Sequence, residues 1–228
     1  MRFSKLIVIV GLLVFGGSSL RANAQSAGEL IKNGNMKYEQ AQYDAAIADY
    51  RKVTPATGPI YARSLYNIGV CYYELWRTED AIAMYKQALA VSNGHYAKAA
   101  YSLGVALEDL KRFREAKDYY QLAILDSRGK FAPASFRLGV IAVAENDGDA
   151  AVKFFRDAIE QSKEQLPASH NNLGVILARA GRFREAEKEF ETAFRQSRGT
   201  LIEAKQNLEL CRSMLETPAT AYLITDVH

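Results

Sequence analysis

From about residue 27 to residue 215, apolar positions recur at three- and four-residue steps, the spacing of one helix face, and that pattern itself repeats. Gly34, Gly69, Gly104, Gly139 and Gly174 lie 35 residues apart, and Ala46, Ala81, Ala116, Ala151 and Ala186 keep the same interval. Four residues after each alanine comes an aromatic, Tyr50, Tyr85, Tyr120, Phe155 and Phe190, and three further on a small residue, Val53, Ala88, Ala123, Ala158 and Ala193. The residue before each glycine is Asn33, Ile68, Leu103, Leu138 and Leu173, apolar in all but the first copy. The glycine therefore belongs to the apolar face of one helix. Alanine, aromatic and small residue at i, i+4 and i+7 form the stripe of a second. Glycine and alanine let the two backbones approach, and the ring fills the space beside them. Each copy is a helical hairpin with more apolar surface than it can bury alone, so neighbouring hairpins must stack. No period-two strand pattern competes.

Local punctuation fits. Ser92-Asn93-Gly94, Ser127-Arg128-Gly129 and Ser197-Arg198-Gly199 place a glycine where a helix end needs a left-handed residue. Pro133 and Pro167 fall near the start of a first helix, where the missing N–H costs little. The repeats span about 27–60, 62–95, 97–130, 132–165 and 167–200. Copy one carries Asn33 and Lys37 where later copies have Ile68 and Tyr72 or Leu103 and Leu107, so its first helix is expected to be more exposed. A further first helix, 201–217, keeps the register but puts Glu209 in the glycine column, which predicts a solvating cap. Pro218 closes it, leaving a tail over 218–228.

The first 24 residues have a different character. Arg2 and Lys5 precede an apolar run from Leu6 to Phe15, and Ala22-Asn23-Ala24 puts small residues at −3 and −1. This is the layout of a signal peptide cut before Gln25, and the run is short of the ~20 residues of a membrane span. Export to a bacterial periplasm or the exterior is the expectation, with no membrane insertion after cleavage. Of 29 basic side chains, Arg2, Lys5 and Arg21 lie in this leader, leaving 26 against 26 acidic ones. A neutral mature chain offers no electrostatic case for nucleic acid as a partner.

A hairpin with Leu-Gly in its first helix and Ala, Tyr/Phe, Ala in its second resembles the tetratricopeptide repeat. The nearest copies are Ile68-Gly69 with Ala81, Tyr85 and Ala88, and Leu173-Gly174 with Ala186, Phe190 and Ala193, and the resemblance covers about residues 27–198. It implies an all-α right-handed superhelix, an α-solenoid over 25–217 of five helix-turn-helix repeats and a capping helix. Two features depart from the family: the period is 35 residues rather than about 34, and its closing proline is missing from the usual column. The extra residue is expected in the inter-repeat turn.

The resemblance also implies that first helices line a concave groove for partner peptides. By column, the groove residues would be Ile31, Asn35 and Tyr38, then Tyr66, Val70 and Tyr73, then Tyr101, Val105 and Glu108. Phe136, Val140 and Val143 follow, then Asn171, Val175 and Ala178. Tyr66, Tyr101 and Phe136 would form an aromatic ladder, either open to a partner or packed on neighbouring helices. Arg63, Lys98 and Arg137 would border it as contacts for carboxylates. Asn35, Asn67 and Lys98 match three columns of the family's carboxylate clamp, but Ile31 and Ser102 fail the other two, so no complete clamp is expected.

Little else carries chemistry. The chain has no Gly-rich phosphate loop, GxSxG, HExxH or CxxC. His95, His170 and His228 share no ligand spacing, so neither metal nor cofactor is expected. The run Lys111 to Glu115, repeated as Gly181 to Glu185, reads as a solvated turn around a core phenylalanine, Phe113 or Phe183. Cys71 and Cys211 share an apolar column with Met36, Ala106, Ile141 and Ile176. Four helix layers of ~8–10 Å would separate them by roughly 30–40 Å, too far for a disulfide. Both should be free, buried thiols. The expectation is a non-enzymatic scaffold binding another protein or an extended peptide in the cell envelope. The alternative is a structural subunit that self-associates in an envelope or secretion complex.

Overall fold

The computed structural model describes residues 26–163 and 165–216, and every regular element among them is helical. The leader (1–24), its cleavage point and the tail (218–228) lie outside the described residues. The chain divides into two compact units, one up to Asp126 and one from Ser127. The first holds α1 (residues 26–39), α2 (Tyr43–Tyr50), a 3-10 turn (Pro55–Thr57), α3 (Pro59–Glu74), α4 (Thr78–Val91), α5 (Ala97–Asp109) and α6 (Phe113–Asp126). The second holds α7 (Ala132–Ala144), α8 (Gly148–Gln161), α9 (Pro167–Arg179), α10 (Phe183–Gln196) and α11 (Ile202–Glu216).

Each glycine column position sits under the aromatic of its own second helix. A methyl group at Gly69 or Gly104 would lie 2.6 Å from the Cε1 of Tyr85 or Tyr120, and at Gly139 or Gly174 the same distance from Phe155 or Phe190. The ring thus occupies the volume a side chain would take. Tyr120 and Phe155 are wholly buried, as are Ala81, Ala116, Ala151 and Ala186. Burying one such ring stabilises a hairpin by about 1.5–3 kcal/mol. Within each unit the next first helix closes the other side of a second helix: α2 packs on α3, α4 on α5, α8 on α9 and α10 on α11.

Two turn columns fix the hairpins. Within each hairpin the chain reverses through a left-handed residue: Ala41 (φ 57°), Trp76 (58°), Lys111 (61°), Asn146 (59°) and Gly181 (75°). Between hairpins, two consecutive residues take positive φ, as in Asn93 (52°) with Gly94 (83°) and Arg198 (53°) with Gly199 (81°). The preceding serine finishes the helix, its hydroxyl donating to a carbonyl three residues back: Ser92 to Leu89 (3.1 Å), Ser162 to Ile159 (2.8 Å), Ser197 to Phe194 (2.9 Å).

Hairpin one departs from the others. Its second helix stops at Tyr50, so Val53, expected in the i+7 stripe, is buried in a turn instead. The cause is Pro55, which has no N–H and forces the residue before it out of the helical region; Thr54 is extended (φ −100°, ψ 156°). Asn33 is exposed as expected. Lys37, however, turns back to Asp49 on α2 (2.5 Å), and Lys52 binds the other carboxylate oxygen (2.6 Å). Asp49 is only 5% exposed, and these two lysines, Lys37 foremost, hold its carboxyl below the usual value of 3.8.

At the other end, α11 buries Ala204, Leu208 and Cys211. Glu209 is exposed and faces Lys205 at 3.8 Å. The expected solvating cap is nevertheless not polar throughout, since Leu210 is 64% exposed and Met214 and Leu215 are exposed too.

Candidate functional site

The expected groove residues fall on the first helices α1, α3 and α5 of the first unit and α7 and α9 of the second. In α3 and α5 the residues facing inward are Leu65, Ile68 and Cys71, and Ala99, Leu103 and Ala106, all buried. Tyr66, Val70, Tyr73, Tyr101 and Val105 sit one step around each helix and are half-buried. Phe136, Val140 and Val143 take the same positions in the second unit, packed on a core that includes Ala142, Phe155 and Leu177. Val175 and Ala178 continue that layer on α9. Ile31 does not join them: at 4% exposure it belongs to the core.

The ladder rings do both things the sequence allowed. Tyr66 tilts against Tyr85 (5.8 Å between centroids) and Tyr96 (5.2 Å), Tyr101 against Tyr120 (5.7 Å), and Phe136 against Phe155 (5.9 Å). One face of each ring is fixed on the core aromatic of its own hairpin, and part of the ring remains accessible. Burial and then Tyr66 push the Tyr96 hydroxyl up to about 12. Tyr96 was missed in the sequence reading, although Tyr61, Tyr96, Phe131, Leu166 and Leu201 form an apolar column of the same period.

Polar groups on this face are partly committed to one another. Tyr38 donates to Glu74 (3.2 Å), and Tyr73 donates to Asp109, so successive first helices of the first unit are latched along one column. Burial, reinforced by the Glu74 charge, raises the Tyr38 hydroxyl to about 12. Asn35 Oδ1 accepts from the Tyr50 hydroxyl (2.7 Å) and from Asn67 Nδ2 (3.2 Å). The two asparagines of the partial clamp thus bind each other, and the buried Ile31 leaves its column without a cation. Glu108 accepts from Tyr120 (2.6 Å). Arg63 and Lys98 are exposed, and Arg137 is half-buried.

The remaining candidates resolve structurally. His170 is 4% exposed; its Nδ1 lies 2.7 Å from Glu189 and its Nε2 3.2 Å from the Gln196 amide, so both ring nitrogens meet groups of its own unit. His95 pairs with Asp126 (3.0 Å) at the surface. No group of three or more His, Cys, Asp or Glu among the described residues is arranged to hold a metal ion. Phe113, expected as a core residue, is 43% exposed at the start of α6, whereas Phe183 packs against the second unit's core. Cys71 and Cys211 are free and buried. Burial raises both thiols, Cys71 to about 12. No described helix is long and apolar enough to cross a membrane.

Known proteins bear on this geometry. Sequence models of the tetratricopeptide repeat match residues 62–124 and, in a second form, 31–90, 101–167 and 136–200. No curated protein sequence matches the chain. Among solved structures, one of MamA superposes with a TM-score of 0.63 at 24% identity, over 76% of this chain and 93% of that one. PilF of Pseudomonas aeruginosa gives 0.67 at 15% identity, over 86% and 92%. YrrB, described as a TPR protein with an unusual peptide-binding site, gives 0.61 at 22%, over 83% and 95%. At these identities the likeness is one of fold.

Proposed function

The chain belongs to the tetratricopeptide-repeat family, and from that premise we propose that it is a non-enzymatic scaffold that binds a segment of another protein on its first-helix faces. The observation that carries this reading is that each unit presents half-buried aromatic and valine side chains on its first helices, Tyr66, Val70, Tyr101 and Val105 in the first and Phe136 and Val140 in the second. A ring already fixed on one side loses little freedom when a partner covers the rest. Such rings contribute strongly to binding for that reason. Exposed Arg63 and Lys98 add cations for a partner's carboxylates at the border.

Replacing Tyr66, Tyr101 and Phe136 together by alanine tests this. Recovery of partners from the native host on the immobilised protein should fall at least about tenfold, the equivalent of 1.4 kcal/mol, with helical circular dichroism retained. Undiminished recovery by a folded triple variant contradicts the assignment.

We also propose that the scaffold works in the cell envelope, as a periplasmic or secreted protein. Support comes from the basic, apolar and small-residue order of residues 1–24. Intact mass of the protein purified from its host should correspond to a chain starting at Gln25. A mass that includes Met1 to Ala24 contradicts export by cleavage.

A further inference from the structure

One hairpin of the second unit lacks a ring that its counterparts carry. At 35-residue intervals the first residue of each second helix is Tyr43, Thr78, Phe113, Gly148 and Phe183. Phe183 packs against the second unit's core, and its carbonyl accepts from the Cys211 thiol of the next first helix (3.1 Å). Ile176 stands one period before Cys211, yet it comes no closer than 4.0 Å to where a side chain at Gly148 would begin. The backbone gives no reason for glycine there, since its φ is not positive and no other element crowds it. What the missing ring leaves is a hole of about 350 Å³. Val143, Val152 and Ile176 form its apolar wall, and the exposed Asp149, Arg179 and Arg182 its charged lining.

The layer has room for the ring that Phe183 supplies one period later, and we infer that the hole beside Gly148 takes an aromatic side chain of a partner protein, with an acidic residue next to it held by Arg179. The charged lining decides what accompanies the ring. Arg182 is committed to Glu185 through two bonds of 2.7 Å. Asp149 lies in the first turn of α8, where the helix dipole stabilises its charge. Among the described residues no acid pairs with Arg179, so its planar fork of donors is left for a carboxylate brought by the partner. A ring is a good anchor because it buries a large area while few bonds lose their freedom. Of the first-helix face the hole shares Val143 but not Phe136 or Val140. It therefore stands or falls separately from the proposed scaffold face.

Methyl NMR of the full chain tests it with three probes: acetyl-Phe-Asp-amide, acetyl-Ala-Asp-amide and acetyl-Phe-Asn-amide. The first should shift the methyl signals of Val152 and Ile176 saturably, through the ring current, and the alanine probe should not. The asparagine probe on the natural protein, and the first probe on Arg179→Gln, should bind about two- to fivefold more weakly, the range of an exposed ion pair. Gly148→Phe supplies the ring from within and should abolish the shifts with circular dichroism unchanged. Unmoved methyls in the natural protein overturn the inference whether or not that variant folds. Equal shifts from the alanine probe, equal affinity for the asparagine probe, or shifts that persist in a folded Gly148→Phe protein overturn it too. Methyl shifts that follow protein concentration without any peptide would assign the hole to a second copy, and so contradict a partner's ring.

Discussion

A methyl group on Gly104 would meet the ring of Tyr120 at 2.6–2.7 Å, and that ring is wholly enclosed and bonded through its hydroxyl to Glu108. Neither side can yield cheaply. Gly104→Ala should therefore destabilise the first unit by about 1–3 kcal/mol, the usual cost of overpacking, seen as a lower urea midpoint. An unshifted midpoint would contradict the packing described. Trp76 is the opposite case: it is 92% exposed and held at φ 58°, so its side chain contributes little packing while its backbone is strained. Trp76→Gly should raise stability by about 0.5–1 kcal/mol, as the left-handed strain exceeds glycine's entropic cost. Cys71, with its thiol raised to about 12 by burial, should resist alkylation at pH 8 in the native protein and react fully after denaturation. Mass spectrometry of the alkylated, unreduced protein reads this directly. The glycine and aromatic positions were legible in the sequence because each column demands one kind of residue. The left-handed turn column was not: Ala41, Trp76, Lys111 and Asn146 share no chemistry, and Gly181 alone shows what the backbone requires.

Hairpin one shows what a helix needs beyond its pattern. Ala46, Tyr50 and Val53 keep the stripe, yet Pro55 ends α2 early, and Val53 reaches the core from a turn. The stripe records which residues are buried, not whether they are helical. Lys37 looked like a solvated substitution in an apolar column; only the fold brings Asp49 to it. That pair makes stability depend on pH. With its carboxyl lowered by Lys37 and Lys52, Asp49 contributes stability that is fully present above the ordinary carboxylate value of 3.8 and is lost as pH falls through the depressed folded value. Asp49→Asn should cost about 1–2 kcal/mol at pH 7, discounted from a fully buried pair because both lysines reach solvent. Thermal melts from pH 7 down to pH 3 should show the gap between variant and natural protein narrowing at the acid end. A gap independent of pH would mean that the carboxylate charge does not matter.

Within each unit, contacts run between neighbouring helices, so a hairpin is understood from itself and the next. The all-helical repeat architecture was legible for that reason: a fixed interval in sequence becomes a fixed contact in space. The candidate face was legible only in part. Tyr66, Val70, Tyr101, Val105, Phe136 and Val140 emerge half-buried on first helices, whereas Ile31 is sealed in the core. Column arithmetic treats hairpin one like any other, and it cannot see that on α1 Ile31 is buried while Leu30 is only half-buried. Likewise, Asn35 and Asn67 matched a pattern for binding a carboxylate but bond to each other.

The central claim, that a partner chain lies on the first-helix faces, is tested most directly by site-specific photocrosslinking in the native host. A benzoylphenylalanine probe replaces Val70 or Val105 on first helices, or Lys86 or Gln121 on exposed positions of second helices. The account predicts one partner crosslinked from Val70 and Val105 and none from Lys86 or Gln121. Crosslinks to that partner from the second-helix positions alone would contradict it.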